Sequence, residues 1–220
     1  MYQEMDSVFY YITTMNENYQ QPEMPKGIEG DIIKGMYILE DGDSKDFRVS
    51  KPINQDHRIR LLGSGTILRE ARKAAELLRR EYSVVVDVWS VTSFNELRRE
   101  ALNINRENML NPTKKQKIPF VTQKLSTKRG PVLSVTDYMK IHSDQIREFV
   151  PDVYRVLGTD GFGRSDSREQ LRHFFEVDMK FIAAAALFEL KSEGILDGKT
   201  LMAHYKKLGI DKDKANPNYQ

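Results

Sequence analysis

Short β-branched runs alternate along this chain with longer stretches in which apolar residues return every three or four positions. "RIRLLG" reads as a strand. "TILREARKAAELLRREY" reads as a helix whose Leu68, Ala71, Ala75 and Leu78 form one apolar stripe. "VVVDVWSV" is a strand apolar enough for burial on both faces. "SFNELRREALNI" is a helix with Ser93 as N-cap and Glu96 three residues on, a capping box. "GPVLSVTD" and "YRVLGTD" are strands, with "YMKIHSDQIREFV" helical between them. "SREQLRHFFEV" and "DMKFIAAAALFELKSEG" are helical, and the second is apolar nearly all round from Phe181 to Leu190, which marks it for deep burial.

Ahead of this alternation, "GMYILE" is a strand and "DGDSKDFRVSKPINQDHR" a polar loop or exposed hairpin. "SVFYYITT", Ser7 to Thr14, is β-branched and aromatic and reads as a further strand. It is cut off from the rest by "NENYQQPEMPKGIEG", a Pro-, Gly- and Asn-rich linker. The pattern predicts residues 1–31 as a strand plus linker outside the main domain, and 32–220 as that domain. Strands alternating with helices imply an α/β fold: a three-layer, mostly parallel sheet with helices on both faces.

Composition narrows the function classes. Of 220 residues, 40% are apolar and 30% charged; 34 basic and 32 acidic side chains leave a net charge of +2. That balance is no electrostatic footprint for nucleic acid. With no cysteine, thiol nucleophiles, disulfides and thiolate metal sites are excluded. No apolar run approaches the ~20 residues of a membrane-spanning helix. The N-terminus lacks the basic and apolar regions of a signal peptide, so a cytoplasmic location is expected.

Candidate chemistry is sparse. "LLGSGTILRE" puts Gly63 and Gly65 at a strand-to-helix turn, where backbone N–H groups can meet a phosphate. A dinucleotide fingerprint needs a third glycine where Leu68 stands, so a tight turn packing helix on sheet is the plainer reading. His57, His142, His173 and His204 have no partner at metal-ligand spacing, and no GxSxG elbow exists. The basic pairs in "RREY" and "KKQK" read as solvated surface. "MNENY" directly follows a strand, and strand C-termini face the ligand crevice in α/β folds. Asn16, Glu17, Asn18 and Tyr19 are therefore either site residues or a polar turn.

Five collinear stretches, "VFYYITTMNENYQQPEMP", "LLGSGTILRE", "DVWSVTSFNEL", "VTDYMK" and "YRVLGTDGFGRSDSREQLRHFFEVD", resemble the C-terminal part of the homodimeric pyruvate dehydrogenase E1 family, in the transketolase superfamily. The polar stretch Asp43–Arg58 is longer than the family's pattern. The resemblance implies a third α/β domain of a three-domain subunit. It implies thiamine diphosphate and Mg²⁺ bound between the first two domains, whose histidines and glutamates lie upstream of Met1. Residues 1–31 then hold the last strand of the middle domain. The chain lacks a GDG metal motif, no catalytic, cofactor-binding or metal residue carries over, and no cofactor is expected for this piece alone. Implied partners are the second subunit of a homodimer, the preceding E1 domains and the E2 lipoyl acyltransferase, with no nucleic acid or membrane. Near a transketolase substrate position, Asn16, Glu17, Asn18 and Tyr19 become substrate-channel candidates.

The stretch "LGTDGFGRSDSRE" follows a strand expected to be buried and closed by Leu157. Gly161 and Gly163 can hold Phe162 out between two hinges. Asp166 with Glu169 makes a D-x-x-E capping box, which occupies helix N–H groups that a phosphate would need. Asp160 and Asp166 repel anions, and Arg164 has carboxylates near enough to pair. The reading is a neutralised turn presenting Phe162 and Arg164, flanked by Asp160 and Asp166, to a neighbouring domain or subunit. The other reading packs Phe162 into its own core. An anion- or nucleotide-binding regulatory module, using Gly63–Gly65 or Thr159–Arg164, remains the alternative function.

Overall fold

A computed structural model describes residues 3–10, 12, 14, 18–54 and 58–220. Its strands are β1 (Met36–Glu40), β2 (Ile59–Gly63), β3 (Val86–Val91), β4 (Val132–Val135) and β5 (Tyr154–Leu157). They form one sheet in the order β1-β3-β2-β4-β5. β2, β3, β4 and β5 run parallel, and β1 lies antiparallel on β3. The expected mostly parallel sheet is what forms.

Its helices are α1 (Glu29–Lys34), α2 (Leu68–Tyr82), α3 (Phe94–Leu110), α4 (Phe120–Leu125), α5 (Lys140–Asp144), α6 (Arg168–Phe174), α7 (Met179–Ser192) and α8 (Gly198–Leu208). Alternation along the strands sorts the two cores. Ile59, Leu61, Val86, Val88, Leu133 and Val135 face one side, where α2, α7 and α8 pack. Leu62, Trp89, Val91 and Val132 face the other, beneath α3 and α4. Side chains on both faces of the central strands are buried, as a parallel sheet covered twice requires. α7 buries Ile182, Ala183, Ala186 and Leu187 completely, as its all-round apolar sequence implies.

Gly63 sets the distance between β2 and α2. A Cβ there would lie 2.8 Å from the Leu68 Cα, so only glycine lets the helix come this close. The turn first makes a 3-10 turn over Gly65–Ile67, and α2 follows. Ser93 caps α3, accepting from the Glu96 N–H at 3.1 Å.

Among the described residues of Ser7–Thr14 no strand forms, and Phe9 (88%) and Ile12 (78%) stand in solvent, apart from the preceding domain's sheet in which this strand is expected. β-propensity cannot make a strand without a neighbour to pair its backbone groups. "YMKIHSDQIREFV" is not one helix but α5 followed by a 3-10 turn over Arg147–Phe149. β5 is an edge strand, so Leu157 is only half-buried. The expected domain boundary at 31/32 falls within α1, which packs on β1 and α3. α1, α4 and α8 drew no expectation from the sequence.

Candidate functional site

The chain leaves β2 through α2 to reach β3 on one side, then returns through α3 to β4 on the other. The carboxyl ends of β2 and β4 therefore flank the point where strand order reverses, where open α/β sheets form their crevice. Hydroxyls from both strand ends meet there. Ser64 Oγ donates to Thr136 Oγ1 at 3.1 Å in a buried contact, and Thr66 Oγ1 donates to Asp137 Oδ2 at 3.3 Å. Thr159 Oγ1, beyond β5, donates to the Asp137 carbonyl at 2.6 Å.

Two cavities open from this crest, and Thr66 and Asp137 line both. One, of about 300 Å³, has an apolar floor that includes Ile67, Leu171 and Val177, with Arg164, Arg168 and Arg172 among its lining residues. The other, of about 790 Å³, runs beneath residues 18–22.

Tyr19 sits at the second cavity, half-buried. The Arg69 guanidinium stacks on its ring at 4.2 Å, and Arg172 Nη2 donates to its hydroxyl at 3.4 Å. Glu70, 5% exposed, braces both arginine-bearing helices. It accepts from the Met179 N–H at 3.1 Å and lies 3.6 Å from Arg172. Asn18 is exposed and lines the same cavity. Asn16 and Glu17 lie outside the described residues, as does His57.

In the loop after β5, Gly161 takes φ +92, which glycine alone adopts freely, and Phe162 is 84% exposed. Phe162 is thus not packed into its own core. Asp160 accepts from the Lys140 N–H at 2.9 Å and tethers the loop to the start of α5. Two details differ from expectation. Arg164 has no carboxylate partner among the described residues; its guanidinium lies over the Phe174 ring at 5.2 Å. The cap of α6 is Ser167, whose hydroxyl accepts from the Gln170 N–H at 3.3 Å, while Asp166 accepts from the Ser167 N–H. S-x-x-Q obeys the same capping rule as D-x-x-E one residue earlier, and only one register fits the turn.

His173 Nδ1 lies 2.9 Å from Asp178, the cap of α7, which is a structural use of that histidine. Among the described residues no group of three His, Asp or Glu could hold a metal ion, and no helix is long and apolar enough to cross a membrane. What the crest offers is binding chemistry: hydroxyls, one exposed carboxylate, arginines and apolar surface. Thr66, Arg69, Asp137 and Arg172 were not singled out from sequence. For Thr66 and Asp137 the signal was position, because each lies two or three residues beyond the carboxyl end of a strand.

Residues 35–178 match the model of the transketolase-like TK C-terminal domain. Over 218 residues the chain is 52% identical to the pyruvate dehydrogenase E1 component of Pseudomonas aeruginosa, covering 99% of this chain and 24% of that protein. It is 48% identical over 217 residues to that of Cupriavidus necator, with 99% and 23% covered. It is 48% identical over 216 residues to that of Escherichia coli K12, with 98% and 23% covered. The chain spans about a quarter of the length of these relatives. With a five-stranded, mostly parallel sheet matching in residues 35–178, the chain belongs to the family of transketolase-like C-terminal domains.

Proposed function

We propose that this chain is the third domain of a pyruvate dehydrogenase E1 component, which oxidatively decarboxylates pyruvate and acetylates the lipoyl group of E2. The carrying observation is the 52% identity running through 99% of the chain. In this reading thiamine diphosphate and Mg²⁺ are held by preceding domains of a cytoplasmic homodimer. This domain contributes packing between domains and subunits, is inactive alone, and starts near residue 32. The exposed apolar side chains at the crest support a packing role: Phe162 (84%), Met139 (60%) and Tyr138 (56%) cluster on the loops after β4 and β5. Phe162 and Arg164, steadied by Asp160 and Asp166, are the interface residues. Asn16, Glu17, Asn18 and Tyr19 border the route to the cofactor.

A chimera tests it. Replacing the matching C-terminal quarter of the Pseudomonas enzyme with this chain should leave a dimer that supports pyruvate-dependent NAD⁺ reduction with E2 and E3. A folded chimera without activity overturns the reading. Phe162→Ala in the chimera should leave thermal stability of the isolated domain unchanged, because the ring is exposed, yet make activity fall on dilution. Full activity at nanomolar concentration would leave Phe162 no interface role.

A further inference from the structure

The polar stretch between β1 and β2 is fastened at both ends to one carboxylate. Asp87 on β3 is 0% exposed, and it accepts from the Gly42 N–H at 2.8 Å and from Arg58 Nη1 at 3.0 Å. Arg58 Nη2 reaches Asp43 at 2.9 Å, and Lys128 Nζ reaches Asp41 at 2.6 Å and Asp43 at 3.0 Å. A pinned base holds the middle of the segment over α2, where the Arg79 guanidinium lies 4.8 Å from the centre of the Phe47 ring. Between residues 46–51 and α2 a groove of about 950 Å³ results.

Its walls are strongly cationic. Seven Lys and Arg residues and three carboxylates line it, in a chain whose net charge is only +2. Part of that charge has a structural use. Arg72 and Arg79 both bind the buried Glu40, Lys73 binds Glu70, and Arg80 binds Glu81. Arg48, Lys51 and Arg69 have no carboxylate within ion-pair distance among the described residues. A solvated basic helix face would be convex. Here residues 46–51 add Arg48 and Lys51 opposite α2 and make the surface concave, which focuses the positive field. The cations left for a ligand are therefore Arg69 on α2 and Arg48 and Lys51 facing it. Three separate positive groups suit an anion with two or more phosphates better than one, since each takes its own phosphate oxygens.

The geometry points to a binding groove, between residues 46–51 and α2, for a small anion carrying two or more phosphates. Inorganic pyrophosphate is the simplest member of the class. The groove shares Gln20, Arg69 and Arg72 with the cavity beneath residues 18–22, and the inference does not depend on the proposed enzyme.

Calorimetric titration of the 220-residue chain with pyrophosphate, in the absence of Mg²⁺, tests it. The expected result is saturable one-to-one binding, at least tenfold tighter than orthophosphate, weakening as salt rises. The exposed double variant R48E/K51E, with R48Q/K51Q as a milder pair, should weaken it tenfold or more. The control K114E/K115E, whose side chains are exposed in the α3–α4 connection, should leave it unchanged. No saturable binding, equal loss in the control, or full binding in R48E/K51E each overturns the proposal.

Discussion

The Arg69 guanidinium lies 4.2 Å from the centre of the Tyr19 ring, joining the first turn of α2 to the segment that precedes α1. Arg172 of α6 holds the hydroxyl of the same tyrosine. One aromatic side chain thereby ties the N-terminal segment across the carboxyl ends of the sheet. A cation–π contact of this kind contributes about 0.5–2 kcal/mol, depending on desolvation. Tyr19→Ala should release residues 18–22, raising their amide exchange severalfold while the global melting temperature barely moves. Tyr19→Phe should fall between, because it keeps the stack and loses the Arg172 bond. Exchange mass spectrometry reads both, and unchanged exchange in Tyr19→Ala would refute the tether.

Glu40 closes β1 at 3% exposure, accepting from Arg72 Nε at 2.7 Å and Arg79 Nη1 at 2.6 Å. Arg79 also donates to the Val86 carbonyl at 2.7 Å, so the group fastens the edge strand, α2 and β3 together. Glu40→Gln removes the one charge that balances a nearly buried guanidinium. Breaking such a pair costs about 3–5 kcal/mol when one charge is left uncompensated. Urea denaturation should show a loss in that range, and the double variant E40L/R79L should lose less than the two single changes together.

His204 meets the Tyr82 ring edge-on at 4.7 Å. Burial holds its imidazole below its ordinary value, and the Lys207 ammonium adds to the shift. The unfolded chain takes up this proton near pH ~6.5, while the folded chain resists until lower pH. Stability is therefore complete above about pH 7 and declines as pH falls through the unfolded value towards the folded one. Thermal melts at pH 7.5 and 5.5 should differ more for the wild type than for His204→Phe. An identical pH dependence in the two would remove His204 from the linkage.

Local rules in the sequence determined a good part of the molecule. The alternation of Ile59 and Leu61 against Leu62, and of Val86 and Val88 against Trp89, fixes which side chains enter which core, because neighbouring strand residues must point to opposite faces. Helical spacing fixed α2, and all-round apolarity fixed the burial of α7. The Ser93 cap was readable because its partner is three residues away. The matched stretches were specific enough to indicate the family, and they did so without indicating a site.

Contacts between distant parts of the chain decided the rest. Asp87 clasps a segment that begins 45 residues earlier, and Arg172 reaches Tyr19 across 153 positions. No periodicity encodes such pairs, since they exist only once the sheet order brings β3 beside β1 and the N-terminal segment over the crest. The same dependence governs Ser7–Thr14, whose strand is expected in the sheet of a preceding domain. Its residues have the propensity, but a strand is a relation between two backbones, and none of the described chain pairs with it. The cap of α6 moved by one residue for a smaller reason of the same kind. Asp166 and Ser167 both satisfy the local rule, and the path of the loop from Gly161 selected between them.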